Sequence, residues 1–172
     1  MAILDLVYVG DERLRKKAIK VHRIDDSLRK LAGDMWDTLH DARGVGLAAP
    51  QVGASRRMVL IHVPENYDED DPTGYDFTLV NPEIVKSYGR KIGTEGCLSM
   101  PGWVGDVPRF ESVTVKALDL DGRPIRIKAE NHLATVLQHE IDHLDGIMYT
   151  DRIEDPSTLI RVNDEEFDEV AE

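Results

Sequence analysis

His139, Glu140 and His143, in the order HEIDH, form a segment whose residue types could do chemistry together. On a helix a four-residue step turns the chain by about 400°. Both imidazoles then leave nearly the same side and can grip one cation. Glu140 directly follows the first histidine, close enough to reach a water at the cation rather than the cation itself. A catalytic site of this kind takes three protein ligands and keeps one position open, so the pair is one ligand short. Downstream, HEIDHLDGIMY places Tyr149 where a third histidine would complete HExxHxxGxxH, and Glu165 and Glu166 lie in a polar acidic tail. Upstream stands the lone cysteine, Cys97, in EGCLS, beside a glycine that permits close backbone approach to a ligand. A thiolate with two imidazoles suits Fe(II) or Zn(II), whereas a single cysteine can equally serve as a small buried hydrophobe.

The element that must carry the motif is a helix from about Asn131 to Leu144, closed by Gly146. Its Leu133, Leu137, Ile141 and Leu144 fall on one stripe, so one side is expected to be buried and the other chemical. A second helix runs from Asp25 or Asp26 to about His40, with Leu28, Leu31, Ala32, Met35 and Leu39 at helical spacing. Asp11 can cap a short helix near 12–18. GVGLAAPQVG (44–53) is too glycine-rich for a helix and reads as loop and short strand, whereas MVLIHV (58–63) is a short apolar strand. Residues 64–76 form an acidic, exposed loop, and 77–91 contain strand material around Asn81-Pro82. A hairpin over 112–130 turns on Asp121-Gly122. Residues 156–172 form a final acidic helix or tail. Strands followed by a key helix point to an α+β fold.

The 172 residues suffice for one domain, taken as 1–172. They carry 21 Lys+Arg against 33 Asp+Glu, a net charge of −12, which argues against direct nucleic-acid binding through phosphate neutralisation. With 41% hydrophobic residues the chain can bury a core. One cysteine excludes an internal disulfide and fits a reducing compartment. No apolar run approaches the roughly 18 residues of a spanning helix, and MAILDLVYVGDER lacks a signal-peptide pattern. A cytoplasmic protein with no membrane partner is expected.

GVGLAAPQVG (44–53), EGCLS (95–99) and QHEIDH (138–143) together resemble the three motifs of the peptide deformylase family, in the same order and at similar wide spacing. The likeness extends over most of residues 1–153. It implies mostly antiparallel sheets around a central HExxH-bearing helix, with N-terminal helices and a C-terminal helix. It also implies hydrolytic removal of the formyl group from the N-terminal formylmethionine of nascent polypeptides, releasing formate. Cys97, His139 and His143 would bind one divalent ion, Fe(II) natively, with Zn(II), Ni(II) or Co(II) able to replace it. Glu140 would be general base and acid, and Gln51 and the Leu98 backbone N–H would donate to the formyl oxygen. Val45, Gly46 and Gly96 would contact the extended peptide, and His132, Thr135 and Val136 would wall the methionine pocket. Aliphatic residues are usual in relatives where this chain has His132 and Thr135, and many carry an arginine where it has Val104. Some relatives dock on the ribosome through a basic C-terminal helix. Here residues 157–172 hold Arg161 and six acidic residues, so ribosome proximity by that route is not expected. Glu95 and Arg109 are expected to pair beside the site.

Overall fold

The computed structural model describes residues 2–163. In chain order it has α1 (Asp26–Asp41), β1 (Gly46–Ala48), β2 (Met58–Val63), β3 (Tyr75–Tyr88), β4 (Lys91–Cys97), β5 (Met100–Arg109), β6 (Ser112–Leu118), β7 (Pro124–Glu130), α2 (Asn131–Leu144) and β8 (Ile160–Arg161). Two antiparallel sheets result, one ordered β1-β2-β3-β6-β7 and one ordered β4-β5-β8. The α+β architecture with a central HExxH helix is therefore present.

The apolarity of β2, broken only by the partly buried His62, follows from helices on both of its faces. Met58 and Leu60 pack toward α1 with Leu28, Met35, Leu39 and Leu47. Val59, Ile61 and Val63 point the other way, into a cluster with Leu133, Leu137, Ile141 and Leu144 of α2. Each fully buried leucine or methionine of α1 contributes about 1.5–3 kcal/mol. Asp25 fixes the start of α1, its carboxylate accepting the Leu28 N–H at 2.9 Å.

The expected α2 keeps its bounds and ends at Gly146, whose φ of +73° suits a residue without a Cβ. Its stripe of Leu133, Leu137, Ile141 and Leu144 is buried as expected, and the side that carries His139, Glu140 and His143 is buried as well. From Val136 to Leu144 every residue is buried, and polar Gln138 is satisfied by the Phe110 backbone at 2.9 and 3.0 Å. The Asp11-capped helix is shorter than expected, a 3-10 turn over Glu12–Arg15. GVGLAAPQVG divides into β1 and a 3-10 turn at Ala49–Val52. Of the final helix or tail expected over 156–172, residues 156–163 form a 3-10 turn at Pro156–Thr158 and strand β8, which pairs with Trp103 and Val104. Residues 164–172, including Glu165 and Glu166, lie outside the described residues.

Candidate active site and metal centre

β1 and β4 are each the outer strand of their sheet, and α2 passes beside both. Cys97 ends β4, where pairing shifts from Gly96↔Val104 to Cys97↔Met100. His139 and His143 stand one turn apart on α2 with ring centroids 5.0 Å apart. The ligand atoms of Cys97, His139 and His143 all lie within 4.8 Å of one another, and all three residues are buried. His143 Nε2 is 3.3 Å from Cys97 Sγ. Burial, with Arg109 and His139 nearby, pushes the His143 pKa well down, which keeps its imidazole neutral and able to ligate.

His139 Nδ1 lies 2.9 Å from Glu95 Oε1. An ionised carboxylate only accepts, so Nδ1 carries the proton and Nε2 is the nitrogen His139 can offer to a cation. Burial pushes Glu95 up, but hydrogen bonds from Arg109 and His139 outweigh it and hold its pKa down at about 2. The expected Glu95–Arg109 pair is bidentate, with both distances 2.8 Å. Arg109 continues to Asp142 at 2.6 Å, and Arg152 closes on the same carboxylate at 2.5 and 2.8 Å.

Glu140 contrasts with Glu95. It is wholly buried, and neither carboxylate oxygen has a hydrogen-bond partner among the described residues. Burial drives its pKa well above the usual carboxylate range. The carboxylate lies against Gly46, where a Cβ would come within 2.6 Å of Oε1. Gln51 accepts the Ala48 N–H on Oε1 at 2.9 Å, so its NH2 faces Ser99 Oγ at 3.1 Å and Cys97 Sγ at 3.6 Å. Leu98 follows the cysteine, and its side chain packs over Gly44, in front of β1. A thiolate and two imidazoles converge, with a protonatable carboxylate and an amide donor beside them. That donor set fits a divalent transition-metal ion. Residues 3–158 match the sequence model of the polypeptide deformylase family.

The chain belongs to the polypeptide deformylase family. It is a metal-dependent hydrolase of that family, whose activity is removal of the N-formyl group from nascent peptides. A peptide deformylase of Thermomicrobium roseum is 56% identical over 172 residues, all of this chain and 97% of that protein. The crystal structure of the Legionella pneumophila deformylase is 49% identical, with a TM-score of 0.81 over 91% of this chain and 89% of that one. A deformylase of Acinetobacter baumannii with Met-Ala-Ser bound is 36% identical, with a TM-score of 0.82 over 88% of this chain and 99% of that one.

Within this deformylase the remaining expected residues fall at different distances from the cluster. Val45 and Val136 are buried together in the apolar cluster that includes Leu137. Gly96 adjoins Cys97 on β4. His132 and Thr135 lie one to two turns toward the start of α2 and are half-buried. Val104 is buried opposite Gly96 and pairs with Ile160 on its other side. Tyr149, at the position of a third motif histidine, stacks on His139 at 6.0 Å and donates to the Trp103 carbonyl at 3.2 Å. A cavity of about 260 Å³ lies behind the ion-pair network, lined by Arg109, Gln138, Asp142 and Arg152, and no cluster residue lines it. Three supporting residues escaped the sequence reading: Ser99, Asp142 and Arg152. For Asp142 a signal existed, since a carboxylate on a helix this apolar needs a cationic partner.

Proposed function

We propose that Cys97, His139 and His143 hold one divalent cation, Fe(II) in the native enzyme, and that Glu140 carries the proton traffic of deformylation. The observation that carries this reading is the unpartnered, buried Glu140 carboxylate beside a three-donor cluster. When bound, the cation acts as a Lewis acid and lowers the pKa of a water toward about 7. Zn(II), Ni(II) and Co(II) suit the same donors.

Glu140 takes a proton as water adds to the formyl carbon, and the burial that raises its pKa favours its holding that proton. It then delivers the proton to the amine nitrogen as the C–N bond breaks and formate leaves. Gln51 Nε2 and the Leu98 backbone N–H donate to the oxygen that gains charge, and loss of one such donor costs about 2.7–4 kcal/mol. Val45 just before β1, Gly46 within it and Gly96 on the outer strand β4 would meet an extended peptide as in strand addition. His132, Thr135 and Val136, on the face of α2 that carries His139, wall the methionine side chain. The bound Met-Ala-Ser of the Acinetobacter baumannii protein supports a peptide beginning with methionine as ligand. The reading includes a cytoplasmic enzyme meeting its substrates as they leave the ribosome. Among the described residues no helix is long and apolar enough to cross a membrane.

The test is formate release from formyl-Met-Ala-Ser by protein purified without oxygen and loaded with Fe(II) or Ni(II). Folded, ion-loaded protein that releases no formate would overturn the reading.

A further inference from the structure

We propose that the methionine pocket also accepts methionine sulfoxide, with His132 Nε2 donating to the sulfoxide oxygen, so that peptides beginning with oxidised formylmethionine are substrates. The proposal rests on the deformylase reading above.

His132 precedes His139 by seven residues, two turns, and so shares its helix face about 10 Å along the axis. Thr135 and Val136 occupy the turn between them. On the proposed placement, a methionine whose formyl group lies at the cluster runs its side chain along this face toward His132. Five bonds separate the formyl carbon from the sulfur, an extended span of roughly 6 Å. With the sulfoxide oxygen and a hydrogen bond of about 3 Å, that reach is comparable to the roughly 10 Å that separate His132 from His139 along the helix axis.

The histidine is held in place from outside the helix. Its backbone N–H donates to Asp68 Oδ2 at 3.0 Å, and Tyr67 covers its ring with centroids 4.5 Å apart. Its Nε2 is shielded from solvent and has no hydrogen-bond partner among the described residues. Burial lowers its pKa, with Asp68 and Glu95 opposing and Lys91 adding, so the ring is neutral. The tautomer protonated on Nε2 is then a donor without an acceptor, a costly arrangement that an apolar residue would avoid. A thioether is a weak acceptor. Oxidation of methionine places a strongly polar S=O group on the same side chain, which supplies what Nε2 lacks. The reaction is otherwise unchanged. Water adds to the formyl carbon, the C–N bond breaks, formate leaves, the amine gains the proton and the sulfoxide departs intact with the peptide.

The experiment compares kcat/KM for formyl-Met-Ala-Ser, its methionine sulfoxide counterpart and its norleucine counterpart. Each is assayed with the Ni(II)-loaded enzyme and with His132→Leu and His132→Gln. For the native enzyme we expect the sulfoxide peptide within about tenfold of the methionine peptide. His132→Leu should lower the sulfoxide-to-methionine ratio by about ten- to a hundredfold, leaving the norleucine-to-methionine ratio in place. His132→Gln, which keeps a donor, should retain part of the sulfoxide rate and serves if the leucine variant does not fold. Equal ratios in the native enzyme and the folded variants would overturn the proposal. So would a native enzyme that turns over methionine and norleucine peptides but not the sulfoxide. Failure on all three peptides would instead overturn the deformylase reading on which it rests.

Discussion

Gly46→Ala adds one methyl group against Glu140, the residue proposed to move the proton. Its ideal Cβ would lie 2.6 Å from Glu140 Oε1, 2.8 Å from Cγ and 2.9 Å from Cδ. To regain ordinary contact near 3.4 Å, the carboxylate must retreat by roughly 0.8 Å. Glu140 is wholly buried, so that movement pushes into packed neighbours. A misplacement of about 1 Å costs on the order of 10²-fold in rate. Gly46 does not have a positive φ, so alanine meets no backbone strain there, and overpacking alone should cost about 1–3 kcal/mol of stability. The assay is formate release under saturating peptide, with ion content and thermal unfolding measured on the same samples. We expect kcat to fall about a hundredfold with one ion per chain retained, because Glu140 is not among the ligands. A folded Gly46→Ala enzyme with native kcat would refute the claim that this contact positions the base.

Other substitutions separate ligation, proton transfer and support. Glu140→Gln should keep the ion and lose at least about 10²-fold in kcat, whereas Cys97→Ala should lose the ion itself; metal analysis beside the formate assay distinguishes them. Arg109→Ala takes the bidentate partner from buried Glu95 and one of two arginines from Asp142, which keeps Arg152, and should cost about 3–5 kcal/mol, read as a fall in Tm of roughly 6–20 °C. Acid stability should follow Glu95, whose folded pKa of about 2 lies below the unfolded value near 4.5. Its contribution, about 3 kcal/mol, is complete above pH 4.5 and disappears as the pH falls through 2. Urea unfolding with chelator present should show that loss in the native protein and a flatter profile in Glu95→Gln.

What the sequence disclosed tracks the range over which each signal acts. The start of α1 was legible because Asp25 and the Leu28–Leu39 stripe lie within a few turns of each other. The bounds of α2 were legible for the same reason. Strands β4 and β5 were not. They contain Gly93, Gly96, Pro101, Gly102, Gly105 and Pro108, residues poor in strand propensity, and they exist because they pair with each other. Nor could β8 be seen, since Ile160 and Arg161 become a strand only against Val104 and Trp103, far earlier in the chain. Within the site, the HExxH spacing and the lone cysteine named the converging donors. Asp142 carried one local signal, a carboxylate on an apolar helix, but nothing near it in the chain named Arg109 and Arg152 as its partners.

The least legible part was the division of labour between two buried glutamates. Glu95 and Glu140 are the same residue type, buried to 1% and 0% exposure, on either side of His139. Glu95 accepts three hydrogen bonds, two from Arg109 and one from His139, and stays ionised. Glu140 accepts none from the described residues and is pushed toward the protonated form. When environments drive two carboxyl groups in opposite directions, the ionised one suits orientation and the protonatable one suits proton transfer. Arg109 decides which is which, because its guanidinium is committed to Glu95 and Asp142. Placing that cation within hydrogen-bond reach of Glu140 instead would hold its carboxylate ionised and remove the proton-keeping property on which its proposed role depends.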